Sequence, residues 1–422
     1  MAKKGFTKPR MNNAFVNFRP ETNSNTYNKV LKIYGAGQGF PGEEGKDSLQ
    51  NRSYVLIDIP QEMRTFQEME VFGAGAYSGL GMGVTPSDLV DHKDNSDNVI
   101  KGQPDNASAI IDLMRGRIKD VFGASYKEGV TRRTVVNVPA ASTIYVNRIF
   151  GGGYGISNDV PCDAIETVVN WDSNNAIAEG YRIDEDLDDD GNLKSGGIYG
   201  GNNNFRRTLY SQINVTSMVK QNDAGYSAKV FGAGYGKNTW AQYTEVNLKS
   251  GANVYEAYGG GYGGMVLNKE SVAAWADVYK SLGAGYDDTD FDDPRENPLF
   301  KTNPLDDKTN TNVYINKGAT VYGYCYGGGL GADATVSGTT YIGLHGGIVN
   351  KDLYAAGTSG AVLDKFGLKT FTATTNAYIE GGSVRNVYGG GWEGSVGKHI
   401  GELDASATDD ILGVTNVIIG IR

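Results

Sequence analysis

The chain has 422 residues, 60 of them glycine and only 11 proline, with a formal net charge of -10. Glycine at about twice its usual share, without a Gly-X-Y period or a matching excess of proline, excludes collagen and plain linker sequence. The acidic balance and the lack of any basic stripe exclude nucleic acid as the expected partner.

Residues 1–30 are polar, Asn-rich and free of the pattern that dominates the remainder, and read either as a capping segment or as a disordered lead-in. The basic start Met1–Arg10 runs into Asn, Arg and Pro and not into an apolar stretch, so no export signal is legible, and no run is long enough to span a membrane. From residue 31 to the end one motif returns: a small or aliphatic residue, an aromatic, then Gly, Gly or Ala, and Gly. Eleven copies begin at Ile33, Val71, Val121, Ile149, Ile198, Val230, Ala257, Ser281, Cys325, Leu353 and Val387. Variable spacing around a core unit of roughly two dozen residues indicates stacked coils carrying insertions, so 31–422 is expected to be one elongated body. Val254–Tyr262 aligns without gaps on Val278–Tyr286 and makes these two look like consecutive units.

Between motifs, stretches such as Asn312–Asn316, Glu245–Leu248, Thr340–Ile342 and Ala377–Ile379 alternate β-branched or aromatic residues with polar ones, the signature of strands. Ile110, Leu113, Met114 and Ile118 fall at helical spacing and leave a short helix open there. The predicted fold is all-β, a right-handed parallel β-helix (β-solenoid) with irregular loop insertions at 72–120, 155–197 and 287–310. Val71, Val121, Ile149, Ile198, Val230, Ala257, Leu353 and Val387 should then form a buried column. A propeller is the competing repeated β architecture.

In a parallel stack, equivalent residues lie about 4.8 Å apart, so columns can be read directly. The residue before each motif is mostly charged (Lys32, Glu70, Asp120, Arg148, Lys229, Glu256, Lys280, Asp352) and predicts a water-facing column. The signs alternate in Asp120 and Arg148 and in Lys229, Glu256 and Lys280, which removes like-charge repulsion. By alternation the motif aromatics should point outward again, unless the glycine corner turns them in. Thr415–Gly420 reads as the opening strand of a further unit, an expectation that the chain is a piece of a longer protein.

The texture of Ala377–Gly382 leading into Val387-Tyr388-Gly389-Gly390-Gly391 resembles the Gly-rich repeats of large bacterial surface and secreted β-helix proteins. These are of the adhesin and autotransporter-passenger kind, including adhesin-like proteins of gut Bacteroidetes. The resemblance implies a cell-surface or extracellular location and contacts with glycans or surface proteins.

Chemistry-bearing motifs are sparse. His92, His345 and His399 sit in different units, and Cys162 and Cys325 lie in unrelated contexts, so neither a metal pair nor a disulfide framework is indicated; Cys325 fills an aliphatic position. Arg117-Ile118-Lys119 matches three residues of β-helical polygalacturonases, without that family's other signatures. A polysaccharide lyase or glycoside hydrolase is therefore the alternative to a noncatalytic adhesin-like protein, and a cleft gathering Lys or Arg with several carboxylates would favour it. Asp186, Asp188 and Asp190 have the spacing of the first half of a Ca²⁺ loop, whose twelfth position here is Gly197, so a Ca²⁺ site completed from elsewhere and a solvated acidic insertion both stand. Asp287–Asp293 form a second, less regular acidic stretch. Candidate sugar-stacking aromatics are Tyr258, Tyr322, Tyr324, Tyr326, Tyr388 and Trp392.

Overall fold

The computed structural model describes residues 13–20, 30–38, 52–60, 68–78, 80, 109–160, 162–180, 197–222, 227–267, 310–363, 373–399, 410–411 and 413–420. Within them the chain is a parallel β-helix whose sheet has 26 strands. Among the described residues no helix is long and apolar enough to cross a membrane.

One wall of the coil starts at a hydroxyl residue and alternates inward aliphatics with outward polar groups, as in Ser211-Gln212-Ile213-Asn214 and Thr244-Glu245-Val246-Asn247. Its strands stack in parallel from Asn13–Phe18 through Arg52–Asp58, Ala109–Phe122, Thr131–Val138, Ala164–Trp171 and Asn203–Val215. The stack continues through Tyr235–Leu248, Thr311–Asn316, Thr339–Tyr354 and Ala373–Tyr388 to Gly413–Ile419. One inward column runs the whole way as Val16, Val55, Ile111, Val136, Val169, Ile213, Val246, Val313, Ile342, Ala377 and Val417. Eleven strands at the inter-strand spacing give a stack on the order of 50 Å. A short second wall follows, in which Tyr145 lies beside Ile177 and Asn253 beside Thr320.

The repeated motif forms the third wall. Its aliphatic residue pairs coil to coil as Ile33, Val71, Val121, Ile149, Ile198, Val230, Ala257, Cys325, Leu353 and Val387. These join the inward residues of the other walls in one continuous core, with Val387 partly buried against it. Cys325 is fully buried and free, as its aliphatic position implied.

Four expectations are corrected. Ala257 pairs directly with Cys325, so the copy at Ser281 is not the next coil; it lies in 268–309, outside the described residues, and Tyr324 takes the place in the column anticipated for Lys280. Residues 110–118 are strand, because Ile110, Ile111 and Leu113 each meet in-register partners on neighbouring coils. The charged column is not a solvated face: Asp120, Arg148, Lys229, Glu256 and Asp352 are buried, and Lys32 and Glu70 are half-buried. The motif aromatics do point away from the main core, yet they are covered too. After the glycine corner the chain turns back, and a second aromatic, five positions past the motif's aliphatic residue, lies over the first. Phe72, Phe122, Phe150, Tyr199, Phe231, Tyr258, Tyr326 and Tyr354 thereby form a second core, with Tyr126, Tyr154, Tyr235 and Tyr262 packed against it.

Glycine at the corner is a steric requirement. A Cβ on Gly151 would fall on the carbonyl oxygen of Gly200 in the next coil, and the same conflict recurs at Gly123 and Gly232. The ring stack is correspondingly regular: Phe122 and Phe150 lie 5.0 Å apart at 4°, and Phe150 and Tyr199 4.9 Å apart at 13°.

Candidate functional site

Near the N-terminal end the charged column becomes one wall of an open cleft. Lys32, Glu70, Asp120 and Arg148 stand one coil apart in register. Lys32 Nζ lies 2.7 Å from one oxygen of Glu70, and Lys119 Nζ 3.3 Å from the other. Arg148 grips Asp120 with two bonds, Nη2 donating at 2.7 Å and Nε at 3.2 Å. The ladder stops there because the next coil has Gly197 in its place.

The outer aromatic row lines the cleft as well. Tyr126 and Tyr154 stand 5.6 Å apart, and the Lys32 ammonium sits 3.6 Å from the centre of the Tyr126 ring. Asn203 follows in the row, in register with both Tyr154 and Tyr235, and its short side chain opens the row where the ladder also ends. The strand is irregular between Asn203 and Phe205, and Asn204 has a φ of 74°, a left-handed conformation Asn tolerates better than most residues. Asn204 Nδ2 donates to the Gly155 carbonyl oxygen at 3.2 Å. Irregularities of this kind re-aim side chains and gather near functional sites. Lys32, Glu70, Lys119, Asp120, Tyr126, Arg148, Tyr154, Asn203 and Asn204 line a cleft of about 270 Å³.

Burial alone would lower the Lys32 ammonium, but its contacts with Glu70 and Tyr126 outweigh that effect and hold it above the usual lysine range. Burial, reinforced by neighbouring Tyr126 and Glu70, pushes the Tyr34 phenol up to about 12. Both groups therefore keep their protons at neutral pH. The two carboxylates are engaged by cations of the ladder, unlike the separate acid and base that flank a bond in a two-carboxylate hydrolase. Paired charges, amides and ring faces suit recognition of a polar ligand.

Comparison of the chain with protein-family models, curated proteins and solved structures finds no match.

Of the aromatics singled out in the sequence, Tyr258 and Tyr326 are inside the second core at 2% and 3% exposure, 4.8 Å apart, and the Tyr258 hydroxyl donates to Glu256 at 2.8 Å. They offer no surface to a ligand, because the covering row that follows the glycine corner lies over them. The other four are different. Tyr324, Tyr388 and Trp392 surround Tyr354, with centroids 6.2, 4.7 and 5.8 Å from its ring. Tyr388 and Trp392 are 44% and 46% exposed, as is Tyr322 at 44%, and the Lys351 ammonium sits 4.7 Å from the Tyr324 ring centre.

Asp186, Asp188 and Asp190 lie in 181–196, and Asp287–Asp293 in 268–309, outside the described residues. Among the described residues no cluster of His, Cys, Asp and Glu could hold a metal ion. His345 Nδ1 is 2.6 Å from Glu380, and Arg117 pairs with Glu179 at 3.0 Å, leaving Lys119 as the member of the Arg-Ile-Lys triplet that reaches the cleft. Tyr126, Tyr154, Asn203 and Asn204 were missed in the sequence. Their signal was present as the aromatic one residue past the glycines, and as the coil in which Asn replaces it.

Proposed function

We propose that this chain is a noncatalytic, adhesin-like repeat protein of the cell surface or extracellular space, presenting an extended surface for glycan or protein contacts. The observation that carries the reading is the cluster of Tyr324, Tyr388 and Trp392 around Tyr354, with Tyr388 4.7 Å from the Tyr354 ring; among the described residues Tyr388 and Trp392 are 44% and 46% exposed, as is the separate Tyr322 at 44%. Preorganised aromatic faces lose little conformational freedom on binding and offer an apolar face to a sugar ring. Single contacts of this kind are weak, and several of them gain avidity only from a repetitive ligand.

The test is retention of the intact chain on an array of polysaccharides and mucins. A variant with Tyr322, Tyr324 and Trp392 changed to Ala should lose retention, and unchanged retention would reject the aromatic cluster. The cleft supports a second reading, a polysaccharide lyase, because it gathers Lys32, Lys119 and Arg148 with Glu70 and Asp120, although both carboxylates are already paired with cations. Release of shortened or unsaturated sugars by the intact chain would establish that reading and overturn the noncatalytic one. Ca²⁺ binding by Asp186, Asp188 and Asp190 is part of the proposal, and calorimetric titration showing no heat at millimolar Ca²⁺ would remove it.

A further inference from the structure

The ring stack of the second core changes composition along its length. Up to Phe231 it is mostly phenylalanine, and Phe231 lies 4.6 Å from Tyr258. From there it continues in tyrosine alone. Tyr258 and Tyr326 are 4.8 Å apart, Tyr326 and Tyr354 5.2 Å, and Tyr354 and Tyr388 4.7 Å, each pair close to parallel. Trp392 joins this run 5.8 Å from Tyr354. Phenol and indole rings yield an electron to strong one-electron oxidants and phenyl rings do not, so the oxidisable stretch has an inner end at Tyr258 and an outer end at Tyr388 and Trp392.

The two ends differ in their surroundings. Tyr388 and Trp392 are exposed, whereas Tyr258 is buried and its hydroxyl donates to Glu256 at 2.8 Å. Of the four phenols Tyr258 is, among the described residues, the one bonded to a carboxylate. Lys229 Nζ, 3.0 Å from the same oxygen, holds that carboxylate in place. Burial pushes the phenols of Tyr258 and Tyr326 up and that of Tyr354 up to about 12, so each carries its proton at neutral pH and releases it when oxidised. Packing alone does not call for tyrosine at four successive coils, since Phe72, Phe122 and Phe150 fill the same place in the same stack.

We infer that Tyr258, Tyr326, Tyr354, Tyr388 and Trp392 form a relay for oxidising equivalents, through which a one-electron oxidant met at the surface is reduced by an electron from buried Tyr258. The electron passes from Tyr258 through Tyr326 and Tyr354 to Tyr388 or Trp392 and leaves to the oxidant. The Tyr258 hydroxyl proton moves along its hydrogen bond to Glu256. Each intermediate ring regains the electron it gave up, so the products are a neutral Tyr258 radical, a protonated Glu256 and the reduced oxidant. The relay is separate from ligand binding and does not depend on it.

The experiment tethers a ruthenium polypyridyl photo-oxidant to one introduced thiol, Ser395→Cys, at an exposed position near Trp392; the chain's own Cys162 and Cys325 are buried. Flash excitation with an external quencher generates ruthenium(III), and transient absorption and electron paramagnetic resonance follow the rings. A tryptophan radical should give way to a long-lived neutral tyrosyl radical. Tyr258→Phe should lower the yield of that radical about tenfold, and Tyr354→Phe should slow its appearance about tenfold, both with the melting temperature unchanged because the ring stack is kept. A tryptophan radical that decays in place, a tyrosyl yield unchanged by Tyr258→Phe, or a rate unchanged by Tyr354→Phe would each overturn the assignment.

Discussion

Thr167 Oγ1 donates to the Gly200 carbonyl oxygen at 2.6 Å, tying the first wall of a coil to that coil's own glycine corner. The same bond recurs from Thr134 to Gly151, Ser211 to Gly232, Thr244 to Gly259 and Thr311 to Gly327. It serves a carbonyl that the close approach of the coils has removed from water. Thr167→Val keeps the shape and removes the donor, so it should cost roughly 1–3 kcal/mol, the penalty of an unserved buried acceptor. Thr167→Ser should restore most of it. Urea midpoints of the three proteins check this, and a Val variant as stable as the parent would refute the role.

The corner glycines make a steric prediction. Gly151→Ala drives a methyl into the Gly200 carbonyl oxygen, which only a backbone shift relieves, at a cost of about 1–3 kcal/mol. Among the described residues Gly390 meets no atom within 4 Å at its imagined Cβ, so Gly390→Ala should stay within about 0.5 kcal/mol of the parent. Thermal unfolding of the two variants side by side separates a packing requirement from a general effect of glycine on the unfolded chain.

Two ion pairs that each include a carboxylate of the charged column should differ in worth. Asp120 and Arg148 have side chains 2% and 10% exposed, whereas the Arg385 partner of Asp352 is 57% exposed. Asp120→Asn leaves a buried guanidinium without its carboxylate and should cost about 3–5 kcal/mol. Arg385→Gln removes an exposed cation and should leave stability close to that of the parent. Chemical denaturation at neutral pH measures both.

Stability should fall on acidification, with a known sign. The Arg385 guanidinium bonded to Asp352 holds that carboxyl below its usual range, and Arg115 does the same for Asp58. A carboxyl lowered in the folded state is protonated first in the unfolded chain. Its contribution is therefore complete above the usual value of 3.8 and is lost as the pH falls through it toward the folded-state value. Asp112, raised by burial despite bonds from Asn137 and Tyr54, acts in the opposite direction and gains stability when protonated. Melting temperature against pH should drop below about pH 4, with a shallower drop in the Arg385→Gln variant.

The direct pairing of Ala257 with Cys325 predicts that the stack does not depend on the residues between Leu267 and Asn310. Replacing residues 271–306 by a short Gly-Ser linker should leave the β signal in circular dichroism and the melting temperature nearly unchanged, because Thr244 to Leu248 still meet Thr311 to Ile315. Collapse of the fold on this deletion would show that the copy at Ser281 contributes a coil.

Several features were legible from residue order because a parallel stack repeats each environment at every coil. The column of Val71, Val121, Ile149 and Ile198 needed only a common motif to be placed inside, and the alternating Asp120 and Arg148 needed only a common position to be paired. The hydroxyl at the start of each first-wall strand, as in Thr134, Thr167 and Thr244, was equally regular but has a partner 15 to 33 residues further on, and nothing in its neighbours names that partner.

Alternation along a strand settles which side chains leave the main core, and it did so for Phe150 and Tyr258. Whether a side chain that leaves the core meets water depends on where the chain travels after the glycine corner. Here it returns, lays Tyr126, Tyr154, Tyr235 and Tyr262 over the first aromatics, and converts an outward face into a second core. The choice of neighbouring coil is equally non-local, since Tyr286 resembles Tyr262 in sequence while the coil of Ala257 stacks on that of Cys325. The cleft is the extreme case. Lys32, Glu70, Lys119, Arg148 and Asn204 come from separate coils and meet only because stacking places distant residues one strand spacing apart.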